Sequence, residues 1–140
     1  MSYAYRRQSS FSFPILPVTL YRAEGEVITP VVNAQVDTGA EMTIVPAKYL
    51  TTIEDDILQT VHLRSHWGEP RTFKMYVVDL SIGSERLATV EVVADKQSKE
   101  ILLGRNVLNK LILLLDGPKG LTDLLLRRPS RLVTSPERRQ

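Results

Sequence analysis

Val36-Asp37-Thr38-Gly39-Ala40 is the stretch that decides the fold. Val32, Ala34 and Val36 lead into it, and Ile44 and Val45 follow. An apolar strand of this kind delivers one carboxylate into a tight turn. Thr38 offers a hydroxyl there, and Gly39 lets another stretch of backbone come close. The apolar flanks predict that the turn is buried. A buried aspartate without a positive partner costs several kcal/mol, so Asp37 requires a hydrogen-bond network or a proton shared with a second acid. Taken alone, Asp-Thr-Gly is an ordinary Asx-turn closing a strand.

Outward from this turn the pattern is that of strands. Ile15 to Tyr21 reads as a strand entered through Pro14 and Pro17, residues that suit a sheet edge. Val27 to Val36 is β-branched and apolar, as one bent strand or two short ones. Pro46 to Leu50 suits a helical turn, since proline is tolerated at a first helical position. Thr60 to Ser65 and Thr72 to Ile82 form a hairpin across His66-Trp67-Gly68-Glu69-Pro70. Gly83-Ser84 turns into Leu87 to Val93. Ile101-Leu102-Leu103 is a short apolar strand. Asn106 to Lys110 reads as a helix with Asn106 as its N-cap. Leu111 to Asp116 and Leu121 to Leu126 make a last hairpin. The expected fold is all-β: a closed barrel or sandwich half with one short helix. Residues 1–11 are expected as a flexible segment, 12–127 as the folded domain, and 128–140 as a basic, disordered tail.

A second motif lies further along: Leu102-Leu103-Gly104-Arg105-Asn106-Val107-Leu108. Apolar residues run straight into a glycine, and a helix begins beyond it. With Val36-Asp37-Thr38-Gly39-Ala40, this resembles the retropepsin family of aspartic proteases over residues 14–126. There, Asp-Thr/Ser-Gly-Ala is followed by an apolar pair and Gly-Arg-Asn/Asp. The opening Phe13-Pro14-Ile15-Leu16-Pro17 and the turn Asp116-Gly117-Pro118 look more like cellular and bacterial members than viral ones.

The resemblance implies peptide-bond hydrolysis by water activated at two aspartates sharing one proton, with activity best at mildly acid pH. The chain holds one Asp-Thr-Gly. The resemblance therefore implies a symmetric homodimer, with Asp37 from each copy meeting on the two-fold axis. By position, Thr38 would hydrogen-bond across that axis, and Gly39 would offer its carbonyl to substrate. Ala40, Gly104 and Asn106 would support the site. Glu41 stands where the family has aspartate, and would pair with Arg105 to tie the catalytic loop to the helix start. Ile44 and Leu102 would line side-chain pockets. The Thr60 to Val78 hairpin falls at the family's flap, with Trp67 and Gly68 near its tip, as substrate contacts. Substrate would be a protein or peptide bound as an extended strand. The alternative is the same fold serving as a weakly active or inactive dimerisation or peptide-binding module. The flap, which has one glycine where many members have several, leans that way; the complete Asp37-Thr38-Gly39-Ala40 set leans against it.

Composition bounds the rest. The chain has 140 residues, 43% hydrophobic and 24% charged, with a net charge of +2, which suits one ordinary globular domain. Arg127, Arg128, Arg131, Arg138 and Arg139 carry much of the positive excess, against the single acid Glu137. Without aromatic-rich basic strands, this does not make a nucleic-acid-binding domain. There is no cysteine, which excludes disulfides and thiolate chemistry and leaves the redox compartment open. His62 and His66 lack a third ligand, so no metal or cofactor is expected. Met42 and Met75 read as core filler. Phe11 to Leu20 is broken by its prolines, and no apolar run nears the roughly 18 residues of a membrane span. A cytoplasmic protein without a membrane partner is the expectation.

Overall fold

The computed structural model describes residues 1–64 and 69–130. The strands, in chain order, are β1 (Ser2–Ala4), β2 (Arg6–Gln8), β3 (Phe11–Phe13), β4 (Ile15–Arg22), β5 (Val32–Val36), β6 (Thr43–Pro46), β7 (Gln59–Arg64), β8 (Pro70–Ile82), β9 (Glu85–Asp95), β10 (Ile101–Leu103), β11 (Ile112–Asp116) and β12 (Leu121–Leu125). One α-helix, α1 (Arg105–Leu108), follows β10. Two 3-10 turns, Ala47–Tyr49 and Thr51–Asp56, join β6 to β7.

Period-two alternation builds the core. Leu16, Val18 and Leu20 of β4 are buried, as are Val78, Leu80 and Ile82 of β8, Val90 and Val92 of β9, and Ile101 and Leu103 of β10. Their outward neighbours are more often polar, so each strand has one face that gains about 1.5–3 kcal/mol per large side chain by turning inward. Strand order β4-β5-β10-β6-β9-β8 returns to β4 through the β4–β8 pairing, which closes a six-stranded barrel. β5–β10 and β6–β9 run parallel, and the other pairs antiparallel. β7 extends the sheet outside the barrel, paired only with β8 among the described residues. β1, β12 and β11 form a separate three-stranded sheet, and β2 and β3 a small hairpin.

Several expectations change. Within residues 1–11, Ser2 to Ala4 pair with Leu121 to Asp123, and Arg6 to Gln8 pair with Phe11 to Phe13. β4 is not an edge. It pairs with β5 on one side and β8 on the other, and Pro17 sits opposite Asn33. Of Val27 to Val36 only the second part is a strand, with Val27 making one isolated bridge to Tyr21. Trp67, Gly68 and the 131–140 part of the tail lie outside the described residues.

One buried carboxylate braces the barrel. Asp79 is 4% exposed and sits at an irregularity in the β8–β9 ladder. Its two oxygens accept from the N–H groups of Glu24 and Thr89, each at 3.1 Å. Both of those residues are left-handed, with φ of 54° and 56°. For a β-branched threonine this is an outlier that its surroundings must hold in place. Arg86 lies 3.7 Å from Asp79 and stacks on Tyr21. Burial pushes the Asp79 carboxyl up, but the two backbone donors and Arg86 outweigh it and leave it below the usual carboxylate range.

Candidate active site

β5 carries the chain to Asp37. Ala34 and Val36 face the core, so Gln35 faces out, and the alternation continues to Asp37. The Asp37 N–H donates to the Leu103 carbonyl at 3.0 Å, which extends the β5–β10 pairing by one residue. The chain then turns. Asp37 Oδ1 accepts from Gly39 N–H at 3.0 Å, and Ala40 N–H donates to the Asp37 carbonyl at 3.3 Å. An Asx-turn is therefore present, as the bare tripeptide allows. The expected burial holds only for the strand: Asp37 is half-buried, and Thr38 and Gly39 are exposed. Past Val36 the backbone leaves the barrel, and none of the described chain covers the turn's outer side.

The second motif clamps this loop. Arg105 N–H donates to the Ala40 carbonyl at 2.8 Å and Asn106 N–H to the Glu41 carbonyl at 3.1 Å. The Arg105 guanidinium donates to the Thr38 carbonyl at 2.9 Å. The expected Glu41–Arg105 ion pair is not formed. Both side chains are exposed, where a salt bridge contributes little, and Arg105 binds the loop through backbone instead. Asn106 is not the N-cap either. Gly104 holds that position without a side-chain cap. Asn106 Oδ1 accepts from both the N–H and the hydroxyl of buried Thr43, at 2.9 and 2.8 Å, and its amide donates to the Glu91 carbonyl. Thr43 Oγ1 in turn accepts from Gly104 N–H at 3.1 Å. Gly104 is obligatory for space: a Cβ there would meet the Met42 carbonyl oxygen at 2.4 Å. Tight backbone crossing, rather than chain reversal, explains this glycine.

The outward face beside Asp37 is a continuous cross-strand row. Leu102 stands opposite Ile44, Ile44 opposite Val93, Val93 opposite Met75, and Met75 opposite Gln59. Residues in register share a face, so an apolar row runs from the Asp-Thr-Gly loop to the base of the β7–β8 hairpin, partly exposed at Leu102 and Ile44 and buried at Val93 and Met75. Ile44 and Leu102, expected as pocket residues, are half-buried neighbours in it. Val93 and Met75 were not expected there. The signal was available: Val92 and Val93 are consecutive apolar residues, which implies a strand covered on both faces. Among the described residues no group of three or more His, Cys, Asp or Glu side chains is placed to hold a metal, and no helix is long and apolar enough to cross a membrane.

A small closed barrel whose parallel strand pair presents Asp-Thr-Gly, locked by Gly-Arg-Asn, defines a retropepsin-like aspartic protease fold. The sequence matches the family model described as "gag-polyprotein putative aspartyl protease" over residues 23–110, and the chain belongs to that family. It is similar to the crystal structure of a retropepsin-like aspartic protease from Rickettsia conorii, with a TM-score of 0.58, 15% identity, and coverage of 89% of this chain and 90% of that one. It is also similar to part of a foamy viral protease-reverse transcriptase solved with an RNA/DNA hybrid. There the TM-score is 0.53 and the identity 17%, over 70% of this chain but 12% of the viral one. No curated protein matches by sequence.

Proposed function

We propose that the chain is an aspartic endopeptidase whose active site forms when two copies bring their Asp37 carboxylates together. The observation that carries this reading is the exposed turn itself. Asp37 is held by backbone hydrogen bonds and the Gly104-Arg105-Asn106 clamp, yet Thr38 and Gly39 beside it face solvent. A rigid, outward-facing carboxylate suits a second copy that covers the turn and adds the other acid. One aspartate takes a proton from water while the protonated one donates to the scissile carbonyl. Thr38 holds the paired loops across the axis, and the Gly39 carbonyl accepts from substrate backbone. Leu102 and Ile44 line the substrate channel beneath the β7–β8 hairpin as flap, with the buried Val93 and Met75 behind them.

The terminal sheet supports pairing. Among the described residues β11 has one free edge, and Leu114 and Leu115 on it are each 44% exposed. An exposed apolar edge of this kind is a template for another chain. The test is a peptide library at mildly acid pH. Wild type should cleave it, with specific activity falling on dilution as dimers part. Asp37→Asn should sediment as wild type and cleave nothing. Undiminished cleavage by Asp37→Asn, or a monomer at full activity, would refute the reading.

A further inference from the structure

We infer that the β7–β8 hairpin carries a second binding site on the face opposite the Leu102–Ile44–Val93–Met75 row, built for a small carboxylate with a compact apolar body. The register places it there: Val45 stands opposite Ala94, Ala94 opposite Lys74, and Lys74 opposite Thr60, one position along from the Met75 row on every strand and so on the other face. A cavity of about 280 Å³ opens between Ala94, Lys74 and Thr60 of this row and the 3-10 turns after β6. That is room for on the order of ten non-hydrogen atoms at liquid packing. Nothing in the Asp37–Glu41 turn lines it.

The chemistry of the lining selects the occupant. Leu50, 1% exposed, and Ala47 offer an apolar wall. Tyr76 is 2% exposed and lines the cavity, and its hydroxyl has no hydrogen-bond partner among the described residues. The ring is buried while the hydroxyl opens onto the cavity, where a ligand acceptor would meet it. Burial pushes that hydroxyl's pKa up, with Glu54 and Asp55 adding to the effect, so it stays protonated and donates. Lys74 and Lys96 also line the site and form no ion pair among the described residues, whereas Arg71 there is bound to Asp95 at 3.2 Å. Among the lining side chains two uncommitted ammonium groups stand against one acid, Glu54, with Asp55 outside the lining, so the wall itself carries a positive excess that a monoanion neutralises. An occupant bridges the hairpin, the end of β9 and the 3-10 turns.

Benzoate and its uncharged counterpart benzamide test this by amide chemical-shift titration of the full chain. Benzoate should perturb residues around Leu50, Lys74, Tyr76 and Lys96 and leave the Asp37–Glu41 turn unmoved. Lys74→Met and Lys96→Met should each weaken benzoate about tenfold, the size of one lost charge-assisted contact. Tyr76→Phe should weaken it too, and Glu54→Gln should tighten it. Asp37→Asn should bind as wild type, which separates this site from the catalytic reading. Benzamide binding as tightly as benzoate, lysine variants with unchanged affinity, or shifts centred on Asp37 would each overturn the inference.

Discussion

The Arg105 guanidinium donates to the backbone carbonyl of Thr38 at 2.9 Å and leaves the Glu41 carboxylate unpaired with it. The arginine therefore reads the position of the loop, whatever side chain the loop carries at residue 41. Arg105→Ala should slow peptide cleavage by loosening the turn, at a modest stability cost of about 1 kcal/mol for an exposed hydrogen bond. Glu41→Gln should change neither. A double-mutant cycle between the two, followed by turnover and denaturant unfolding, should give no coupling energy.

Thr43 and Asn106 should be strongly coupled. Thr43→Val removes the hydroxyl that joins Gly104 N–H to Asn106 Oδ1. It leaves a buried donor unmet, which costs about 1–3 kcal/mol. Asn106→Ala removes the other side of the same network. Because both break one unit, the double variant should be destabilised by clearly less than the sum of the singles, as measured by urea unfolding.

Acid should weaken the fold through Asp79. Its folded-state pKa is lowered, so the charged form is the one the native structure favours. The resulting stability is fully present above the unfolded pKa, about 3.9, and is lost as pH falls through the lower folded value. Asp79→Asn should be less stable than wild type by about 2 kcal/mol at neutral pH. The gap should stay constant down to about pH 5 and narrow below about pH 4. Unfolding midpoints of both proteins across that range check the sign.

Thr122 is fully buried, and its hydroxyl has no hydrogen-bond partner among the described residues. It lies between Tyr3 and Leu115 in the terminal sheet. Thr122→Val keeps the shape and removes the unmet group, so it should raise stability by about 1 kcal/mol. A higher thermal midpoint with unchanged secondary structure is the expected reading.

Much of this architecture was legible in the residues. Alternating Leu16, Val18 and Leu20, the apolar run into Gly104, and the turn at Gly83-Ser84 each have one local cause, and local causes can be read in order along a chain. What could not be read depends on partners far away in sequence. Pro17 suggested an edge because nothing local reveals that β4 closes a barrel against β8. Asn106 suggested a cap because its true partner, Thr43, belongs to another strand. Glu41 and Arg105 have opposite charges and suitable positions, but the nearer, fixed acceptor at Thr38 prevails. Met75 was assigned to the core from its chemistry and is buried there, but only the register shows that Val93 is its neighbour.

The pairing of β1 with β12 sets an order on folding. Ser2 and Asp123 are partners 121 positions apart, so the first strand made has nowhere to dock until almost the last strand exists. During synthesis the barrel strands β4 to β10 have their mates in hand well before β1 does. The terminal sheet therefore closes late, and its long loop carries a closure cost that only the finished barrel, by holding the two ends near each other, brings down. If the β11 edge is where a second copy binds, the surface for partnering is completed last, after the chain has acquired a body of its own.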